Sequence, residues 1–286
     1  MKKLTLILIL AALPLIAGAQ QIQSQWAGAR VAFLGDSITD AGQLSSQDIY
    51  WHQLVDILGI EPYAYGISGH QTKHIKGQAE KLAADHGQEV DAILIFIGTN
   101  DFNGSVPLGE WCTEESVRVN RGGVSTILKH KVPEMDGGTM RSEVNRFMSY
   151  LKETFPTKQI IMLTPIHRAY FNCSANNIQP DESYANPLGL YIDDYVQVIK
   201  EAANVWAVPV IDLNSISGLY PLEPAQTQYF REAAKDNPHT AAEAAAAEPG
   251  SAAGLEKHDL LHPNTAGQLR MAYAIAYQLL GYPARF

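Results

Sequence analysis

The sequence predicts an α/β protein built on a parallel, doubly wound sheet of five strands. Two observations carry this. Five short runs rich in large apolar residues alternate with segments whose apolar residues recur at helical spacing. The strongest runs are apolar at consecutive positions, so both of their faces must be buried, as in strands covered by helices on each side. At 286 residues the chain is long enough for one large domain of this kind.

The first strand is Val31-Ala32-Phe33-Leu34, and it ends abruptly in Gly35-Asp36-Ser37-Ile38-Thr39-Asp40. A serine just past the carboxyl end of such a strand sits where open α/β sheets keep their sites. Ser37 is therefore a candidate nucleophile, provided that a base from elsewhere takes its proton and a third group orients that base. The same Gly-Asp-Ser also reads as a plain turn with a helix N-cap. Ile49, Trp51, Leu54, Val55 and Leu58 then predict an amphipathic helix ending near Gly59.

A short second strand enters the Gly-rich turn Gly66-Ile67-Ser68-Gly69-His70. Backbone N–H groups around such glycines can face a ligand closely and can form part of an oxyanion hole. Ser68 is a rival nucleophile, but His70 stands where a nucleophile elbow needs its second glycine. His70 and His74 are four apart, a spacing some zinc sites use, yet no third ligand is evident nearby; a solvated or capping role is the simpler reading. A helix from about 75 to 86 follows.

The third strand, 91–98, is the most apolar and should be central. It ends in Gly98-Thr99-Asn100-Asp101. The Asn100 amide can donate hydrogen bonds to a developing oxyanion without adding charge, or can make an ordinary Asx turn. Residues 102–138 read as a long irregular connection beside the site, so Phe102, Asn103 and Trp111 are candidate substrate contacts. A helix over 139–155 leads to a fourth strand, 159–164. The loop after it carries His167 and Arg168, two further candidate contacts. His167 competes as general base, but no orienting carboxylate lies close to it in sequence. A helix over 190–205 and a fifth strand over 208–212 complete the alternation.

Residues from about 231 to 257 are Ala-rich and low in complexity, which reads as an exposed insertion. Lys257-His258-Asp259-Leu260-Leu261-His262-Pro263-Asn264 follows. Asp259 and His262 stand three apart, so a turn of backbone can direct both side chains the same way and let Asp259 hold the imidazole tautomer that accepts a proton. Asn264 or Thr265 can cap the last helix.

Composition narrows the class. Residues 1–19 combine Lys2 and Lys3, an apolar run, and the small residues Ala17-Gly18-Ala19: a secretory signal peptide cut after Ala19. The run is short for a bilayer span, so stable membrane insertion is not expected. The full chain has 21 basic and 30 acidic residues; without the leader, 19 face 30, a formal net charge of −11. Such an acidic exported chain is a poor partner for nucleic acid. Two cysteines, Cys112 and Cys173, are too few for a cysteine zinc site; their pairing depends on geometry.

Four motifs in one order (Gly-Asp-Ser after the first strand, Ser-Gly after the second, Gly-x-Asn-Asp after the third, Asp-x-x-His before the last helix) resemble the SGNH hydrolases, the GDSL-like lipase/acylhydrolase family. The resemblance covers residues 20–286 as a single domain. It implies a flavodoxin-like three-layer α/β/α sandwich and a serine esterase that needs no cofactor or metal. It implies Ser37 as nucleophile, Asp259 and His262 as its partners, and an oxyanion hole of the Ser37 N–H, Gly69 and Asn100. Asp36, next to Ser37, is a further candidate substrate contact. Two motif positions differ: Ile38 replaces a leucine, and Ala64 stands where many members carry asparagine. Export and acidity point to deacetylation of a carbohydrate; the alternatives are a lipase or lysophospholipase, and a glycan-binding module without catalysis.

Overall fold

A computed structural model describes residues 24–42, 48–174, 177–232 and 258–285, without the side chains of 173, 174, 232 and 258. The expected leader at 1–19 and residues 233–257 of the Ala-rich segment lie outside the described residues. The chain runs β1 (Arg30–Gly35), α1 (Tyr50–Leu58), β2 (Glu61–Ala64), α2 (Thr72–His86), β3 (Ala92–Phe96), α3 (Thr99–Asn103), β4 (Cys112–Arg121), β5 (Val124–Pro133), α4 (Met140–Thr154), β6 (Gln159–Leu163), β7 (Phe171–Ser174), β8 (Asn177–Gln179), α5 (Ile192–Trp206), β9 (Val210–Ile211), α6 (Leu213–Ile216), a 3-10 turn (Pro224–Tyr229), β10 (Phe230–Glu232), β11 (His258–Pro263) and α7 (Thr265–Leu279).

Five strands make one all-parallel sheet in the order β2-β1-β3-β6-β9. Alternate side chains of β1 and β3 serve two separate cores. Val31, Phe33, Leu94 and Phe96 pack under α1 and α7. Ala32, Leu34, Ile93 and Ile95 pack under α2, α4 and α5. All are fully buried, which is why these strands lack polar alternation. This is the expected three-layer sandwich.

Local chemistry sets the element ends. Gly59 stops α1 in a left-handed conformation (φ 72°), donating its N–H to Val55. The Asn264 side chain caps α7 by accepting from the Ala266 and Gly267 N–H groups. His70 precedes α2; the His74 ring closes the helix start by accepting from the Gln71 N–H at 2.9 Å.

The topology locates a crevice. From β1 the chain passes over one face to β2; from β2 it passes over the other face to β3, on the far side of β1. The carboxyl ends of β1 and β3 therefore diverge into connections on opposite faces, leaving an opening between them.

Residues 102–138 depart from expectation. They hold the hairpin β4–β5, two ten-residue strands joined through Gly122 and Gly123. Both glycines have positive φ, as a tight two-residue hairpin turn requires. Alternating residues around Gly-Gly were the available signal. Cys112 opens β4 and is a free thiol.

Candidate active site

Gly35 closes β1 beside the end of β3. A Cβ there would lie 2.5 Å from Thr39 Oγ1 and 2.6 Å from the Phe96 carbonyl. Only glycine permits the chain to turn this tightly between β1 and β3. In the turn, Asp36 Oδ1 accepts the Ile38 N–H at 3.0 Å, and the Thr39 hydroxyl meets Tyr50 Oη at 3.0 Å. These contacts hold Ser37 at the crevice.

The opposite wall comes from β10 and β11, an antiparallel pair with a break in register. Arg231 faces Asp259, but Phe230 already faces Pro263, so residues 260–262 bulge out. Asp259 Oδ1 ties the bulge by accepting the Leu261 and His262 N–H groups at 3.2 and 3.0 Å. The Asp-x-x-His spacing thus works through a strand bulge.

The bulge delivers His262 to Ser37. His262 Nε2 lies 2.7 Å from Ser37 Oγ, and its Nδ1 lies 2.7 Å from Asp259 Oδ2. Ser37 and His262 are 8% and 6% exposed, and Asp259 is fully buried. Arg231 reaches Asp259 Oδ2 at 3.1 Å and is itself buried. The sequence reading counted Arg231 in the exposed Ala-rich insertion; it is instead a buried residue of β10, and only strand pairing reveals its partner.

Charge follows from this packing. Burial pushes the His262 pKa down; Asp259 pulls it up, Arg231 opposes, and the net shift is downward. His262 is therefore neutral at neutral pH and can accept a proton. For Asp259, burial raises the pKa, but His262 and Arg231 outweigh it and keep the carboxylate ionised. Two further carboxyls behave differently. Burial lifts Asp36 to about 7, with Asp101 adding to the rise, and lifts Asp101 to about 6 against the hydrogen bonds of Thr72.

Gly69 has left-handed backbone (φ 77°) in the loop after β2. That loop is tied to the Ser37 turn, where Asp40 Oδ2 accepts the Ser68 N–H at 2.9 Å. It is tied equally to α3, where Asn100 Nδ2 donates to the His70 carbonyl at 3.1 Å. The Ser37 turn, Gly69 and Asn100 thus share one edge of the sheet. Ser37, rather than Ser68, is the serine that faces His262.

The remaining candidates lie around this edge. Asp36 is buried and turned into the backbone of its own loop. Phe102 is buried edge-on against Tyr195. Asn103 accepts from Arg168, whose buried guanidinium also donates to the Ala169 and Pro180 carbonyls. Trp111 stands at the hairpin base and donates to Glu201 at 2.7 Å. The carboxylate absent from the sequence neighbourhood of His167 is Glu182, 2.6 Å from His167 Nδ1. Among the described residues, no group of three or more His, Cys, Asp or Glu is placed to hold a metal ion.

Beyond the Gly69 loop, β2 and α2 border a groove of about 680 Å³. Tyr63, Tyr65, His70, His74 and His86 supply rings, and Lys73, Lys81 and Asp85 supply charge. Gly66, Ile67 and His70 line it, so one loop serves both Ser37 and the groove.

The description of a GDSL-like lipase/acylhydrolase family matches residues 33–270. Similar solved structures include a Lactobacillus plantarum protein (22% identity, TM-score 0.62, 90% of this chain and 98% of that one). A possible lipase from Chitinophaga pinensis is 18% identical (TM-score 0.59, covering 87% and 97%). An acetyl-xylooligosaccharide esterase from Geobacillus Stearmophilus is 21% identical (TM-score 0.50, covering 91% and 97%). No curated protein sequence matches the chain significantly. With the family match spanning most of its length, the chain belongs to the GDSL-like lipase/acylhydrolase family and is a serine esterase.

Proposed function

We propose that the protein is an exported serine esterase that deacetylates a carbohydrate, with Ser37, His262 and Asp259 as its catalytic triad. The observation carrying this is the unbroken hydrogen-bonded chain Ser37–His262–Asp259, in which the imidazole is neutral and the carboxylate ionised. His262 Nε2 takes the Ser37 proton as Oγ attacks the ester carbonyl carbon. Asp259 steadies the imidazolium. The Ser37 N–H, Gly69 N–H and Asn100 amide receive the oxyanion. His262 then protonates the departing sugar oxygen. Water, deprotonated by the same nitrogen, releases acetate and restores Ser37.

The groove supports the carbohydrate reading. Tyr and His rings beside Lys and Asp offer a sugar its two needs: flat apolar faces for its C–H groups and charged partners for its hydroxyls. The acetyl-xylooligosaccharide esterase among the similar structures shares the fold at an identity too low to carry its substrate across.

Acetate release from acetylated xylan, pectin and O-acetylated sialic acid, compared with long-chain ester turnover, tests the proposal. Acetate release by the wild type and none by Ser37→Ala is expected. Preference for long-chain esters favours the lipase alternative. Glycan binding with no hydrolysis and no labelling by a fluorophosphonate probe favours a non-catalytic module. For export, N-terminal sequencing of protein from producing cells should begin at Gln20.

A further inference from the structure

We propose that the β4–β5 hairpin is a dimerisation arm, and that its occupant is the same hairpin of a second copy of this chain. The hairpin is anchored at its root and unsupported beyond it. The buried Asn145 Nδ2 donates to the Trp111 and Glu134 carbonyls, at 2.8 and 3.0 Å, clamping both chain ends. Past that clamp, neither strand packs substantially on another described element. Every residue from Thr113 to Lys131 keeps some exposure. A lone two-stranded hairpin is marginal in water, so a ribbon this long gains from a partner.

Its two faces differ. Directly opposed residues share a face, and the register runs from Cys112 opposite Pro133 to Arg121 opposite Val124. Val117, Val119, Val124, Leu128 and Val132 therefore fall on one side. Glu114, Arg118, Lys129 and Lys131 fall on the other. On the apolar side, Leu128 is 41% and Val124 67% exposed. The same side also carries Thr113, Glu115, Arg121, Thr126 and His130, with His130 Nδ1 3.0 Å from Glu115 Oε1, and Ile127, 58% exposed, lies on the charged side.

The charges on that face identify the occupant. Glu115 and Arg121 lie on it in the same strand, equally distant from Arg118. A twofold axis crossing the strands at Arg118 lays the apolar faces together with β4 antiparallel over β4 of the second copy. Val117 then meets Val119 of the second copy, Leu128 meets Thr126, Val124 meets His130, and Glu115 meets Arg121 at both ends. Shifting the axis by one residue either way opposes neither charge to its opposite. The charges of the face are therefore complementary to themselves in one register, as an isologous dimer requires. Ten residues at ~3.4 Å each, two strands wide, cover roughly 350 Å² per copy, below the ~800 Å² per partner of a standard interface, so the association should be weak.

Sedimentation velocity of the mature full chain over a wide dilution series tests this. A wild-type dimer that dissociates on dilution is expected. Leu128→Lys should be monomeric throughout. Glu115→Arg and Arg121→Glu should each weaken association about tenfold, and the double exchange should restore it. Thermal melts and per-chain esterase activity should match the wild type, confirming that the variants fold. A monomeric wild type, a dimer indifferent to Leu128→Lys, or a double exchange that fails to restore association overturns the proposal.

Discussion

Among the described residues three histidines hold a carboxylate through Nδ1; one, His130 with Glu115, lies on the exposed hairpin, and the surroundings of the other two push their pKa values in opposite directions. His262 meets Asp259 at 2.7 Å, and His167 meets Glu182 at 2.6 Å. His262 is buried, with Arg231 reaching the same aspartate oxygen, and its pKa is lowered by burial. His167 is partly exposed; its hydrogen bond to Glu182 raises its pKa despite some burial. One imidazole is held neutral with its free nitrogen 2.7 Å from a serine hydroxyl. The other is held towards its charged form, its ring edge-on to Tyr220. A carboxylate partner therefore does not by itself make a histidine a base. Burial and the third charge decide which state is populated.

The largest effects should come from breaking the His262 side. Ser37→Ala or His262→Gln should lower kcat/KM on a short p-nitrophenyl ester by about 10⁴-fold or more, with an unchanged circular dichroism spectrum. Asp259→Asn should cost about 10⁴-fold by releasing the tautomer. Because the His262 pKa is lowered, wild-type kcat/KM should hold as pH falls through 6.5 and decline only below it.

Removing the third charge sharpens the comparison. Arg231→Met leaves Asp259 buried without its cation and should destabilise the fold by about 3–5 kcal/mol in urea unfolding. The same change removes one influence lowering the His262 pKa, so the acid limb of kcat/KM should move to higher pH. A limb that stays in place would separate Arg231 from the titration of His262.

Asp36 is buried without an ion pair among the described residues, and its linkage runs the other way from Asp259. Its pKa rises from 3.8 unfolded to about 7 folded, so its contribution is fully present below 3.8 and is lost as pH climbs to 7. Asp36→Asn retains an acceptor for the Ile38 N–H and should escape that loss. Its stability relative to wild type should improve between pH 4 and 7 by no more than about 4 kcal/mol, then level off. The smallest effect belongs to His167→Gln. Turnover should change less than about threefold, and stability by under about 1 kcal/mol, that loss confined to pH below the raised pKa of His167.

Legibility followed the range of the interactions. β1, β3 and β6 could be read because burial on both faces forces an unbroken apolar run. Helix ends could be read because Gly59 and Asn264 act within one turn of the residues they cap. The β4–β5 hairpin left a local trace in Gly122-Gly123, obscured by the charged residues of an arm exposed on both sides. Glu182 beside His167 left none: it lies fifteen positions further along, across loop and hairpin, with no period to project across.

By itself, the sequence determined the layered α/β architecture, the order of its strands along the chain, and the motif positions of Ser37, Asn100, Asp259 and His262. Those properties rest on near-neighbour chemistry: side-chain alternation, helix caps and the space only Gly35 allows. Tertiary structure alone decided that His262 reaches Ser37 across 225 positions, that a bulge in β11 aims it, and that Arg231 holds the charge of Asp259. Such partnerships depend on strand register and on the depth at which a charge is buried, and both are set by the packed whole.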